Sequence, residues 1–222
     1  ALALAAALGS LAGGGAATAG AWPRAPGEGF LSVGLEAEPE ASGGATFTLY
    51  GEYGLTPRAT LVAKLDGSDD PGTPRRAGAG LRFALNGPEA TNRFAASFGL
   101  SVPPDVDGMM TGTRAEFGLA WGRGFASPWG GGWATAGARL LVPVGGGDVA
   151  NEVSGLLGLR PVEGWMAMLG ASRYQDADGT YWRVSPAVGY ALREGVSIVP
   201  GVTREFGDAG RWILGLGLWI DF

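Results

Sequence analysis

The 222-residue sequence contains no cysteine and no histidine, and its only lysine is Lys64. Without cysteine the chain can form no disulfide, iron–sulfur cluster or thiolate zinc site. Without histidine it lacks the side chain that most often acts as a base near neutral pH. The formal net charge of −5 argues against a nucleic-acid-binding protein.

Long apolar runs are missing after the first part of the chain, so no membrane-spanning helix is predicted there. Residues 1–21, ALALAAALGSLAGGGAATAGA, combine an apolar stretch with small-x-small patterns at Ala17-Thr18-Ala19 and Ala19-Gly20-Ala21. This composition is typical of a secretory signal peptide and implies Sec-type export. We therefore predict one mature domain, residues 22–222; a buried N-terminal helix is the alternative.

The rest of the chain alternates between an apolar face and a small or polar face. Such a period of two is the pattern of β-strands. It is strictest in the last segment, RWILGLGLWIDF, where the even positions from Trp212 to Phe222 are all apolar. The predicted strands are residues 30–37, 45–55, 59–65, 77–85, 93–102, 114–125, 133–142, 152–162, 165–175, 181–192, 196–206 and 211–222. The pattern leaves the register of the ninth and eleventh open.

The connections differ in length and charge. Short ones such as TPR, EG and REG alternate with longer acidic ones such as DGSDDPGTPRR and PPDVDGMMTGT, although NGPEATN and ASPWGGG break the rule. This alternation favours an up-and-down barrel with a short-turn rim and a long-loop rim.

Two architectures fit such strands: a soluble β protein with its apolar face inward, and a membrane barrel with that face toward lipid. The non-apolar faces carry mostly Gly, Ala, Ser and Thr, fewer charges than a soluble surface needs. Aromatic residues occur near segment ends, as in membrane-interface girdles: Trp121, Trp133, Trp165, Tyr181, Trp182, Trp212 and Trp219. We predict an all-β, closed antiparallel up-and-down transmembrane barrel of about twelve strands. A soluble secreted β protein is the alternative.

The signal-peptide pattern, the alternating strands and the terminal phenylalanine together resemble a Gram-negative outer-membrane protein. That resemblance implies an outer-membrane location, contact with outer-membrane lipid, and recognition of Leu218, Ile220 and Phe222 by the barrel assembly machinery. AWPRAPGEGFLSVGLE, followed by YGEYGLTPRATLVAKLD, is similar to barrels of the transporter-like, or meta-pathway phenol-degradation, family.

Catalysis is not expected. Outer-membrane enzymes resemble one another in using His with Ser or Asp, and this chain has no His. GTRAEFG and PWGGGW match no nucleophile motif, and the loop acids Asp66, Asp69 and Asp70 fit no calcium pattern. The prediction includes no cofactor and no metal.

Strand parity places charged side chains inside the barrel. The predicted lumen residues are Glu52, Lys64, Arg82, Arg114, Glu116, Arg139, Glu152 and Arg183, together with Glu36, Arg93, Arg160 and Glu205. Charged side chains lining a pore set its selectivity. We therefore predict a small passive channel for polar or anionic solutes, biased by Arg82, Arg114, Arg139 and Arg183. The alternative is that Arg–Glu pairs close the barrel, which would then have a structural, adhesive or envelope-organising role. No loop is predicted to fold in as a plug.

Overall fold

The computed structural model describes residues 20–39, 45–68, 76–102, 112–207 and 210–222. Residues 1–19, which hold most of the predicted signal peptide, lie outside this part, as do Asp69, Asp70 and much of three acidic loops. The strands are β1 Gly29–Ala37, β2 Thr46–Thr56, β3 Ala59–Ser68, β4 Arg76–Ala84, β5 Asn92–Val102, β6 Arg114–Ser127, β7 Gly130–Pro143, β8 Ala150–Arg160, β9 Trp165–Gln175, β10 Thr180–Arg193, β11 Val196–Phe206 and β12 Trp212–Asp221. No helix within the described ranges is long and apolar enough to cross a membrane.

The strands form one closed antiparallel barrel in which each pairs with its neighbours in sequence. Closure occurs between the first and last strands, where Phe30 pairs with Asp221 and Ala37 pairs with Leu214. A closed sheet satisfies the backbone groups that an edge strand would leave unpaired in lipid. The predicted fold class is confirmed.

The alternation in the sequence corresponds to the two faces of the wall. In β12, Leu214, Leu216 and Leu218 are exposed on the outside, whereas Ile213 and Trp219 are buried. The structure also fixes the two registers that the sequence left open. Met166 and Met168 of β9 and Val199 and Glu205 of β11 point inward.

The hairpin between β6 and β7 is longer than predicted. Gly130, Gly131 and Gly132 belong to β7 and pair with the end of β6, so only residues 128–129 form the turn. Gly130 has a φ of 109°, and a Cβ there would lie 2.1 Å from the Arg160 carbonyl oxygen. The glycine run that predicted a loop is therefore a strand with a close backbone neighbour.

One half of the interior is filled by apolar side chains. The cluster lies toward the rim formed by the short turns at residues 57–58, 128–129 and 194–195, and consists of Phe30, Tyr50, Trp133, Met166, Met168, Val199 and Trp219. The girdle prediction was therefore wrong for Trp133 and Trp219, which are each 2% exposed. It was also wrong for Tyr181, which lines the interior. Their strand parity turns them inward, and nearness to a strand end does not override it.

Candidate functional site within the barrel

The segment before β1 enters the barrel at the short-turn rim. We call residues 20–28 the strap. Its backbone is bonded to the wall: Gly27 N donates to Gly54 O and Gly54 N donates to Glu28 O, both at 2.9 Å. A Cβ on Gly54 would lie 1.9 Å from the Ala25 carbonyl oxygen, so this approach requires glycine.

Trp22 extends the strap across the interior. A Cβ on Gly122, on the opposite wall, would lie 2.5 Å from the Trp22 ring. The indole also packs against the apolar cluster of the short-turn half. The strap thus narrows this half like a plug, which the sequence did not predict.

A buried charge network holds the strap. Arg24 donates from Nε to Glu52 Oε2 at 2.9 Å, from Nη1 to Asp221 Oδ1 at 2.8 Å, and from its backbone N to Thr60 Oγ1 at 3.0 Å. The other oxygen of Glu52 accepts from Arg82 at 2.7 Å and from the Tyr50 hydroxyl at 2.5 Å. Glu52 therefore joins the strap to the wall.

Arg82 belongs to this network and does not face an open lumen. It is 1% exposed, and its guanidinium also donates to the Trp22 carbonyl oxygen at 3.4 Å. The strap and the wall leave Arg82 and Glu52 almost no exposed surface, although Arg82 borders one of the interior cavities.

The other half of the interior, toward the long loops, is lined by paired charges. Arg139 lies between Glu116 at 3.2 Å and Glu152 at 2.6 Å. Arg183 pairs with Glu205 at 2.6 Å, and Lys64 pairs with Asp66 at 2.9 Å. These cations and carboxylates alternate around the wall. Such pairing is what the alternative hypothesis of a barrel closed by Arg–Glu pairs predicts.

Arg211 closes this array just before β12 begins. It bonds Glu205 at 2.8 Å and also contacts Glu38. Burial disfavours the charged guanidinium, but the bond to Glu205 and the charge of Glu38 outweigh that effect and raise the pKa of Arg211. The wall near β1, β11 and β12 is therefore cross-linked by charge.

Arg114 differs from Arg82, Arg139 and Arg183, which all pair with carboxylates. No ion pair joins it to a carboxylate within the described ranges. It pairs across the sheet with Ser101 of β5, and Ser101 pairs on its other side with Gly78 of β4. Arg76 precedes Gly78 by two residues and therefore lies on the same face. Arg76 donates to the Gly112 carbonyl oxygen at 3.0 Å. Arg76 and Arg114 thus form a basic pair near the long-loop rim.

The described residues enclose two cavities that lie side by side in the interior. One of about 220 Å³ is lined by Lys64, Ser97, Glu116 and Arg139. The other, of about 330 Å³, is rich in hydroxyl groups: Ser32, Thr48, Ser154, Tyr174, Ser172, Tyr181, Ser185 and Thr203. Both touch Tyr50, Glu152 and Ser154. Hydroxyl and charged groups of this kind can hydrogen-bond a polar solute.

Several interior residues were missed by the sequence reading, namely Arg24, Tyr50, Asp66, Arg76 and Asp221. Parity alone could have placed Tyr50, Asp66 and Arg76, since each lies an even number of residues from a predicted lumen residue of its own strand. It could also have placed Asp221, which lies opposite the apolar even positions of the last segment. Arg24 had no such signal, because it precedes the first strand.

The predicted assembly residues are on the outer face of the last strand. Leu218 is exposed, Ile220 is half-buried and Phe222 is 70% exposed. The Phe222 backbone pairs with Gly29, donating at 3.0 Å and accepting at 2.6 Å. A Cβ on Gly29 would lie 2.3 Å from the Phe222 ring. The terminal residue thus completes the seam that closes the barrel.

No family model matches the chain, and no curated protein matches its sequence. Solved porin barrels do match in structure. The KdgM porin gives a TM-score of 0.65 at 7% identity, over 87% of this chain and 99% of that one. The NanC porin gives 0.64 at 8% identity, over 86% and 98%. The KdgM porin in complex with disordered oligogalacturonate gives 0.60 at 8% identity, over 87% and 99%. The chain therefore has the fold of outer-membrane porin barrels.

Proposed function

We propose that the protein is an outer-membrane channel for small polar or anionic solutes, with the strap as its constriction. The observation that carries this proposal is the polar long-loop half, where hydroxyl groups and charge pairs surround the two cavities. A barrel that served only as a membrane anchor would gain more from an apolar or fully packed interior. The similar KdgM and NanC barrels are named as porins, which supports the same class of function.

Release of the strap need not leave a buried carboxylate unpaired. Glu52 keeps its bonds to Arg82 and Tyr50 through Oε1 when Arg24 leaves Oε2. The departing Arg24 would enter water, where a guanidinium is well solvated. Because the strap and the wall bond different oxygens of Glu52, the strap can leave without breaking the bonds within the wall. Loss of Arg82 would instead remove a partner of Glu52 within the wall.

Conductance of the purified protein in a planar bilayer tests the proposal. We expect small or infrequent current steps from the full chain, and larger steps when residues 22–28 are removed. Arg24→Ala should give intermediate behaviour, since it removes the contacts to Glu52 and Asp221. Arg58→Ala is the matched control, because Arg58 is an exposed arginine on a turn of the same rim.

Absence of steps from both the full chain and the strap-deleted chain, each folded, would reject the channel. That outcome would favour a closed barrel with a structural, adhesive or envelope-organising role, for which the filled short-turn half is the supporting observation. Folding is checked by heat-modifiable migration on a gel.

The proposal includes a route to the membrane. Sec-type export would deliver the chain, and the assembly machinery would recognise Leu218, Ile220 and Phe222. The short-turn rim, with the strap, would then face the periplasm. The resemblance of residues 21–36 and 50–66 to the transporter-like, or phenol-degradation, family of barrels stays a prediction.

A further inference from the structure

Two arginines point outward from transmembrane strands, near the long-loop rim. Arg173 of β9 pairs directly with exposed Trp182 of β10, so both lie on the outer face. Arg204 of β11 pairs with exposed Trp212 of β12 on one side and with exposed Val184 on the other. Trp182 also pairs with Phe206, so Arg173, Trp182 and Phe206 form one row across β9 to β11. Val184, Arg204 and Trp212 form the adjacent row across β10 to β12. We call Arg173, Trp182, Arg204, Phe206 and Trp212 the rim patch.

The aromatic rings hold both guanidinium groups against the wall. The Arg204 guanidinium carbon lies 5.0 Å from the centroid of a Trp212 ring and 5.8 Å from that of Phe206. That of Arg173 lies 5.9 Å from a Trp182 ring, and Arg173 also donates to Gln175 Oε1 at 2.6 Å. A guanidinium stacked on a ring still presents N–H donors at its edge.

The charge environment of the rim patch differs from that of the interior. Interior Arg139, Arg183 and Arg211 are paired with carboxylates. Arg173 and Arg204 form no ion pair with a carboxylate in the described part of the chain. Their cross-strand partners on the wall are apolar or aromatic, and the polar contact of Arg173 is with the neutral amide of Gln175. An outward arginine is unfavourable in the middle of a bilayer but tolerated at its interface, where anionic headgroups lie.

We propose that the rim patch binds the phosphate of a lipid headgroup in the leaflet at the long-loop rim. The two guanidinium groups would supply charge-assisted hydrogen bonds to the phosphate oxygens. Trp182, Phe206 and Trp212 would pack on the glycerol or sugar region and the first acyl carbons. A lipid is favoured over a free anion because the aromatic side chains face the bilayer beside the arginines.

Native mass spectrometry of the full-length protein, released from detergent after titration with defined lipids, tests this proposal. The probes are dioleoyl phosphatidic acid, which carries a phosphate monoester, and dioleoyl phosphatidylcholine of the same acyl composition. We expect the wild-type protein to retain phosphatidic acid preferentially. In Arg173→Gln/Arg204→Gln we expect the retained fraction to fall about tenfold, as for the loss of charge-assisted hydrogen bonds.

Arg123→Gln is the matched control. Arg123 is an outward arginine near the opposite rim, where it pairs with Asn92 of β5. Wild-type retention by the control and reduced retention by the double variant would support a local site. Equal retention by all three proteins, or an equal loss in both variants, would overturn it. Displacement of the lipid by millimolar inorganic phosphate would also overturn it, in favour of a free-anion site. Heat-modifiable migration checks that each variant is folded.

Discussion

At the scale of single residues, the face of the strand on which a tryptophan lies, and not its distance from the strand end, decides whether it is inside or outside the barrel. Trp133 and Trp219 occur near strand ends, where interface aromatics are common, yet they point inward and pack in the apolar cluster. Trp165 and Trp182 also lie near strand ends but are exposed on the outside. The two pairs differ in which face of the strand they occupy, and the sequence shows this. Trp133 lies on the same face as Arg139, and Trp219 lies on the same face as Gly215 and Gly217.

Trp219→Ala should destabilise the barrel by about 3–5 kcal/mol, because it leaves a cavity among Phe30, Val199 and their neighbours. The free energy of unfolding is measured by urea titration in lipid vesicles, followed by tryptophan fluorescence. Trp129→Ala is the control, since Trp129 is 70% exposed on a turn and its loss should have little effect. Equal effects of the two substitutions would contradict the packing role of Trp219.

At the scale of elements, the residue pattern within each strand predicts its conformation and outer face, whereas no local pattern predicts the position of the strap. Strands such as β5 and β12 place apolar residues on alternate positions, and the outer face follows from that pattern. The strap has no periodicity. Its place depends on bonds from Arg24 to Glu52, Thr60 and Asp221, which lie 28, 36 and 197 residues further along the chain.

Deletion of Phe222 should lower insertion into the outer membrane more than it lowers synthesis of the chain. The deletion removes the residue whose backbone pairs with Gly29 at the closing seam, and it shortens the proposed assembly signal. Quantitative blotting of total and outer-membrane fractions measures the two quantities. Phe83, another exposed phenylalanine near a strand end, gives the control Phe83→Ala. Normal insertion of the truncated chain would count against this role for Phe222.

At the scale of the whole molecule, the order of the strands decides which charged side chains meet. The sequence places Glu116, Arg139 and Glu152 on the inner face, but only the strand order puts Arg139 between the two carboxylates. The expected basic bias of the lumen is thereby reduced, since the field of each paired arginine is largely offset nearby. Arg76 and Arg114 keep a local basic character near the long loops.

Arg139→Gln should shift ion selectivity toward cations by about twofold or more, because it leaves Glu116 and Glu152 without their common partner. Glu152→Gln should shift it toward anions. Reversal potentials under a potassium chloride gradient report both changes. The double variant Arg114→Glu/Arg139→Glu should show the largest shift toward cations. Unchanged reversal potentials in all three variants would show that these residues do not line the conducting path.

The sequence by itself determined the strand number, the closed barrel and the face of most side chains, because a period of two is a local property of each strand. It also indicated that Glu52, Arg82 and Arg139 lie inside. Tertiary structure decided the rest. The strap position, the Arg24–Glu52–Arg82 network and the filling of the short-turn half all depend on contacts between distant segments. Such contacts have no periodic signature, since they join residues of different strands and of the strap that no local pattern relates to one another.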